Sequence, residues 1–366
     1  MQVQRFQEQE VCRGLLKMFA ASFRSKETAR AYDYHLKRYC NDLETVQDPS
    51  SLLLMTQKEA EDTLIQFIIT KKEEGMSSSA LNNYVAAIAK FYLINDKPIN
   101  ISRVNRFMPK PLKVKKDRGY QPEEILKVLE LANERTRALI LLLASTGVRL
   151  GSISDLTIED LEEKGDIYKV TVYRNTRQEY VTYCTPEATK ALQTYFDVRR
   201  RDGEIINEKS PVIREQYNRQ SPLSIQYPRH TTKAALSRIL EDIVERAGLR
   251  TVQHRGVVGG SATYRKDVML AHGFRKYFNT QLVTARINPL VKELLMGHLR
   301  IGLESSYYRP LEEDIQMEYE KAIDQLTINP ENRLLKKVTV LQERNDRLDK
   351  LLDRIDTLEK QAGIKN

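Results

Sequence analysis

The sequence is short of several things, and each shortage removes a class of function. It has three cysteines in 366 residues, Cys12, Cys40 and Cys184. They are too far apart to pair as metal ligands and point to a reducing cytoplasm. The opening stretch MQVQRFQEQE has no apolar core of the kind a signal peptide carries. The longest apolar run, Ala138 to Ala144, falls far below the roughly 20 residues a membrane span needs, so it reads as a buried helix. No GxxxxGK[ST] stretch is present to cradle a nucleotide, and no acidic triad has metal-ligand spacing. The expectation is a soluble, cytoplasmic protein that uses no metal and no other cofactor.

What the chain does have is positive charge. Lys and Arg outnumber Asp and Glu by 59 to 50, a net +9 that suits a polyanionic partner. Many proteins with no such partner carry a similar excess, so the distribution matters more. Residues 1–108 predict an all-helical unit. Ala29, Tyr32, Leu36 and Tyr39 mark one helical face, a second helix runs from Gln57 to Glu74, and Gly75 stops it. Ser77, Ser78 and Ser79 offer caps for a third helix burying Leu81, Tyr84, Val85, Ile88 and Phe91. A basic linker, 109–121, then carries Lys110, Lys113, Lys115, Lys116 and Arg118 between prolines. Either it is a solvated tether or it also crosses a phosphate backbone, and its charge favours the second.

Residues 122–325 form a separate region in which two helices precede the turn TGVR. The runs IYKVTVY and EYVTYC, joined by RNTRQ, predict a β-hairpin. Helices then resume. Arg199, Arg200 and Arg201 read as a solvated basic loop or a contact to a polyanion's backbone, and His254 to Lys266 as a flexible, Gly-rich, basic loop near that partner. In 333–360, Leu334, Val338, Leu341, Asn345, Leu348, Leu352 and Ile355 alternate spacings of four and three, a coiled-coil seam with one polar position. This helix either joins another chain or packs on its own.

Three stretches carry the chemistry. STGVRLGSISDL holds Arg149, AHGFRKYFNT holds His272 and Arg275 three apart on one helix face, and LLMGHLRIGLESSYYRP sets His298 nine residues ahead of Tyr307. Each is ordinary alone: a helix-end arginine usually caps carbonyls, HxxR arises by chance, and Tyr307 is one of eighteen tyrosines. Their order and spacing closely resemble the tyrosine recombinase superfamily, and the YYRP ending resembles archaeal plasmid and virus integrases. The resemblance implies an α+β, mainly helical protein. Its parts would be a helical core-binding (SAM-like) domain, a catalytic domain with a small antiparallel sheet, and here a C-terminal coiled-coil helix. It implies two domains clamped on duplex DNA, self-association as a dimer or tetramer, and site-specific cleavage and rejoining through a 3′-phosphotyrosine, integrating and excising a mobile element.

The residue types fit that chemistry. Attack on a phosphodiester piles negative charge on the non-bridging oxygens, which two forked guanidiniums, Arg149 and Arg275, can bind without a metal. His272 and His298 add hydrogen bonds, His272 also stands to manage the tyrosine proton, and Tyr307 is the nucleophile. The sequence departs from the family in three places. Where a hairpin lysine would protonate the leaving 5′-oxygen, Arg174 stands with Arg177 behind it; a guanidinium holds its proton too tightly for that role, so Arg174 is a catalytic candidate as a phosphate contact instead, and Lys169 on the preceding strand is a weaker substitute for the lysine. Ser152 replaces an acidic residue, and the tyrosine is doubled, so aligning on YYRP allows Tyr308. Two rival readings are a type IB topoisomerase, which relaxes DNA without synapsis, and a DNA-binding relative with impaired catalysis.

Overall fold

In the computed structural model, residues 14, 16–43, 48–110, 117–250, 252–258, 261–298 and 310–362 are described. Contacts divide the chain into two compact units, one of residues 1–116 and 253–265, the other of 117–252 and 266–366.

In the first unit, Ser25 caps α1 (Lys26–Asp42) by accepting from the Thr28 N–H, and Leu36 and Tyr39 on its apolar face are buried. Thr56 and Glu59 close a reciprocal capping box on α2 (Gln57–Glu73), and Gly75 follows its end at φ +87°. Ser77 caps α3 (Ser78–Ile94), which buries the five residues its spacing predicted. Leu36, Leu64, Leu81, Ile88 and Phe91 are fully enclosed in one core, each worth roughly 1.5–3 kcal/mol of burial. A short turn, α4 (Ile101–Asn105), is tied to α2 through Arg103, which bonds Glu61 at 2.9 Å and Asp62 at 2.5 Å.

The second unit is built on α5 (Pro122–Glu130) and α6 (Glu134–Thr146). Every residue of α6 from Ala138 to Thr146 is buried, as befits a helix apolar all round. Strands β1 (Leu161–Lys164), β2 (Ile167–Val172) and β3 (Tyr180–Tyr183) form an antiparallel sheet in that order, with Val172 opposite Tyr180. The β2–β3 hairpin is where its β-branched runs predicted it. The sequence LEEK of β1 has no apolar alternation to announce it, and its charges suit a sheet edge.

The last turn of α7 (Pro186–Arg201) corrects the reading of the triple arginine as a loop. Arg199 is fully buried and meets Glu204 at 2.5 and 3.0 Å, while Arg214, also buried, bonds the same carboxylate at 2.5 Å. Only Arg200 and Arg201 face solvent. Helix α8 (Lys233–Arg246) belongs to the second unit; β4 (Val252–Val258) and β5 (Ser261–Lys266), which group almost entirely with the first, pair as a two-stranded sheet where a flexible loop was expected. Helices α9 (Leu270–Thr284), α10 (Pro289–Leu295) and α11 (Glu312–Glu320) complete the body.

The final helix, α12 (Pro330–Ala362), is rooted by Glu187 of α7, whose carboxylate accepts the N–H groups of Ile328 at 2.8 Å and Asn329 at 3.1 Å. Past that root Leu334, Val338, Leu341, Leu348 and Leu352 are exposed, so these seam positions do not pack on their own chain. No described helix is long and apolar enough to cross a membrane.

Candidate active site

Helix α6 ends because Gly147 adopts φ +61°, where its N–H bonds the Leu143 carbonyl at 3.0 Å. A side chain there would also collide with Phe278, whose Cδ1 would lie 2.2 Å from a Cβ. The turn that results does two things. It aims the Gly147 carbonyl at α9, and it delivers Arg149, exposed, at the cap of the short helical turn Leu150–Ile153. Ser152 spends its hydroxyl on the Arg149 carbonyl at 2.7 Å.

A second helix end faces the first. Helix α10 closes with the Gly297 N–H on Leu294 O at 2.9 Å and the His298 N–H on Glu293 O at 3.0 Å, both bonds of a Schellman motif. Gly297 sits at φ +66° with the Tyr180 ring against it, 2.5 Å from where a Cβ would be. Glycine is thus required before His298 by conformation and by space.

Between these two ends lies Arg275 of α9, 6% exposed. It donates through Nη1 to Gly147 O at 2.6 Å, and through Nη2 to Met296 O and to His298 Nε2, the last at 2.9 Å. All three are neutral acceptors, and they engage three of the five N–H groups a guanidinium owns. Burial first, then the nearby Arg149, hold the Arg275 pKa below the ordinary arginine value, and a guanidinium nevertheless stays charged in proteins. Two cations converge here, and Arg275 bonds no carboxylate among the described residues.

His272, on the exposed side of the same helix, is pulled below the usual imidazole range by burial, then by Lys276, with Arg275 and Arg149 adding to it against Asp117. It is therefore neutral at pH 7 and free to accept a proton. Tyr180 lies beside the guanidinium, its hydroxyl kept protonated mainly by burial. A cluster of two guanidiniums, a neutral imidazole and a second histidine has the chemistry to bind an anion on which negative charge grows.

The model of the phage integrase family matches residues 118–314, more than half of the chain. The chain belongs to that family. Among curated proteins, the tyrosine recombinase XerA of Pyrococcus furiosus is 23% identical over 303 residues, covering 82% of this chain and 89% of its own length. Tyrosine recombinase XerC of Leptospira interrogans is also 23% identical, over 310 residues, covering 81% and 88%. Among solved structures, the Tn1549 transposon integrase in complex with transposon right-end DNA matches with a TM-score of 0.54 at 17% identity. The match covers 85% of this chain and 98% of that one.

The protein is thus a tyrosine recombinase, a DNA strand-transferring enzyme. Of the residues its sequence singled out, Arg275 and His298 are in direct contact, with Arg149 and His272 close enough to act on Arg275 or with it. Tyr307, its neighbour Tyr308 and the basic Arg309 lie outside the described residues, as do Lys113, Lys115 and Lys116. Lys110 is exposed. Arg118 is committed internally, bonding both oxygens of Glu124 at 2.7 Å and Asp267 at 2.9 Å.

The hairpin residues behave differently from one another. Arg174 bonds Asp160 at 2.6 Å and the Glu159 carbonyl, while Arg177 is exposed. Lys169 is caught between Glu162 at 2.8 Å and Glu312 at 2.7 Å. It stands three residues along β2 from Val172, on the order of 10 Å from the turn end of the hairpin that meets Arg275. One residue at this site escaped sequence reasoning. Glu293 looks like any acidic residue on a helix, and only the cap at Gly297 folds it back onto His298.

Proposed function

We propose that this recombinase cuts and rejoins duplex DNA at specific sites, integrating and excising a mobile element. The Tyr307 oxygen attacks the scissile phosphorus, a 3′-phosphotyrosine bond forms, and the 5′-oxygen leaves with a proton. Arg149 and Arg275 clamp the non-bridging oxygens, His298 adds a hydrogen bond, and His272 takes the phenol proton. The carrying observation is the buried Arg275, which bonds two backbone carbonyls and the His298 ring and no carboxylate among the described residues, beside a second guanidinium. Backbone dipoles stabilise that charge without cancelling it, which leaves it available to a phosphate. Residues 1–108 would serve as core-binding domain and 122–325 as catalytic domain, joined by a basic linker whose Lys110 is free to meet the DNA backbone.

Self-association completes the reading. The exposed Leu and Val positions of α12, with Asn345 among them, suit a two-stranded contact with a second copy. The test of the chemistry uses nicked suicide duplexes tiled across the ends of the element that carries the gene, and looks for a covalent protein–DNA band. Wild type should give the band, and Tyr307→Phe should abolish it while duplex binding stays near wild type. A band from Tyr307→Phe that Tyr308→Phe removes would move the nucleophile by one residue. Duplex binding retained without an adduct at any site would instead favour a DNA-binding relative with impaired catalysis.

A further inference from the structure

The contact between Glu293 and His298 has a chemical consequence. In the Schellman motif that ends α10, position C″ is folded back against position C3, and an apolar pair usually fills that contact. Here C3 is Glu293 and C″ is His298, so the backbone itself brings a carboxylate to an imidazole. His298 Nδ1 lies 2.5 Å from Glu293 Oε2, and Lys292 holds the other carboxylate oxygen, Oε1, at 2.7 Å. The opposite ring nitrogen, Nε2, is 2.9 Å from Arg275 Nη2.

The tautomer follows from what each partner can do. A guanidinium only donates, so Nε2 must accept and carries no proton. The ring proton is then on Nδ1 and is donated to Glu293. Burial opposes ionisation of Glu293, but hydrogen bonds from Lys292 and His298 outweigh it, and the carboxyl stays below its ordinary pKa. In the free protein, therefore, His298 points a lone pair toward the place a phosphate would occupy, and that lone pair is covered by Arg275.

We propose that Glu293 is a positioning residue for strand cleavage, fixing the His298 tautomer and stabilising the imidazolium that forms when DNA binds. This rests on the reading of His298 as a phosphate contact. An incoming phosphate oxygen takes the Arg275 N–H away from Nε2, and Nε2 then takes a proton from solvent and donates it in a hydrogen bond to the phosphate. Glu293 makes that protonation favourable, because an anion within hydrogen-bond distance raises imidazole basicity. The charged groups facing His298 are Glu293 and Lys292 on its own helix and Arg275 on α9, with Arg149 beyond; Tyr180 of β3 packs on Gly297 next to it.

Single-turnover cleavage of the nicked duplex, measured against pH, tests the proposal. Glu293→Gln keeps an acceptor for the Nδ1 proton and deletes the charge. Its alkaline limb should move to lower pH by about one unit, which is ~tenfold in rate above that limb, with near wild-type rates recovered in acid. In a His298→Ala background the same change should add nothing. An unshifted profile overturns the proposal, and so does a uniform loss at every pH, which would mark Glu293 as merely structural. Ring-nitrogen NMR of the unaltered protein gives an independent check: a proton on Nε2 in the free state would refute it. Tyr307→Phe is the control that separates failures. If neither Tyr307→Phe nor Tyr308→Phe loses cleavage, the functional reading is at fault, and if one of them does while Glu293→Gln matches wild type, only this inference falls.

Discussion

Replacing Glu204 by Gln should cost the catalytic unit more stability than any other single-atom change among its described residues. The carboxylate is fully buried and receives Arg199 at 2.5 and 3.0 Å and Arg214 at 2.5 Å, while both guanidiniums are themselves at most 2% exposed. Their remaining bonds go to backbone carbonyls, among them Pro211 at 2.8 Å and Ile225 at 3.2 Å, which satisfy donors without cancelling charge. Two cations share one anion, so removing that anion leaves both uncompensated. Breaking one buried pair costs roughly 3–5 kcal/mol, and for a unit of this size each kcal/mol moves the midpoint by about 2–4 °C. The expected drop is therefore on the order of 10 °C or more in calorimetry, and it should persist in high salt, because buried charges are poorly screened. Arg200→Ala, which breaks only the exposed 2.9 Å pair with Asp197 three residues away, should stay within about 0.5 kcal/mol. A Glu204→Gln protein melting within a degree or two of wild type would mean the arginines reorganise toward water, and the reasoning would be wrong.

Arg149→Ala and Arg275→Ala should each slow covalent adduct formation by roughly 10²–10³ while weakening duplex binding much less, since the clamp acts most strongly as charge builds; equal losses in rate and affinity would make them ordinary backbone contacts. His272 should titrate below 6.5 in NMR of the free protein, and Lys276→Met should move it upward, so that a base needing the neutral ring works down to mildly acidic pH; a value at or above 6.5 in wild type contradicts this. Ending the chain after Arg333, which still leaves that side chain bonded to Thr327 O at 2.6 Å, should lower self-association in sedimentation without abolishing binding to a half-site. Identical association states in full-length and shortened protein would leave α12 with another role.

Local rules made much of the molecule legible before any coordinates. The stop at Gly75, the cap at Ser77 and the buried face of α3 follow from short-range chemistry that tertiary context did not override. The order of the three catalytic stretches was legible because their spacing is fixed by the fold they serve. What stayed hidden depended on partners distant in sequence or on unmarked backbone geometry. Arg199 reads as one of three surface arginines until Glu204 and Arg214 close around it. Strand β1 is held by its neighbour rather than by its own composition, and Gly256 within β4 makes that stretch read as a loop. For α12 the seam was visible, but its exposure was needed to decide that it does not fold onto its own chain.

The glycines of TGVR and GH looked like the least informative residues of their motifs, and they explain how the site holds a buried cation without quenching it. Gly147 lies just past the end of α6, and Met296 caps α10 just before Gly297, so both carbonyls on Arg275 belong to helix C-termini. A helix C-terminus carries a partial negative charge of up to about half an electron, less for a helix as short as α10. Two of them aimed at one guanidinium offset much of the cost of burying it. A carboxylate in the same place would do so more fully, but it would also occupy the N–H groups a phosphate needs and repel the phosphate itself. Dipoles fixed in the backbone stabilise the charge and leave it available. Each depends on a left-handed turn that only glycine makes at no steric cost, and the Phe278 and Tyr180 rings packed against them leave no room for a side chain. Substituting either glycine would therefore withdraw a carbonyl from Arg275 and tilt the guanidinium, damaging catalysis through the backbone rather than through any group that touches DNA.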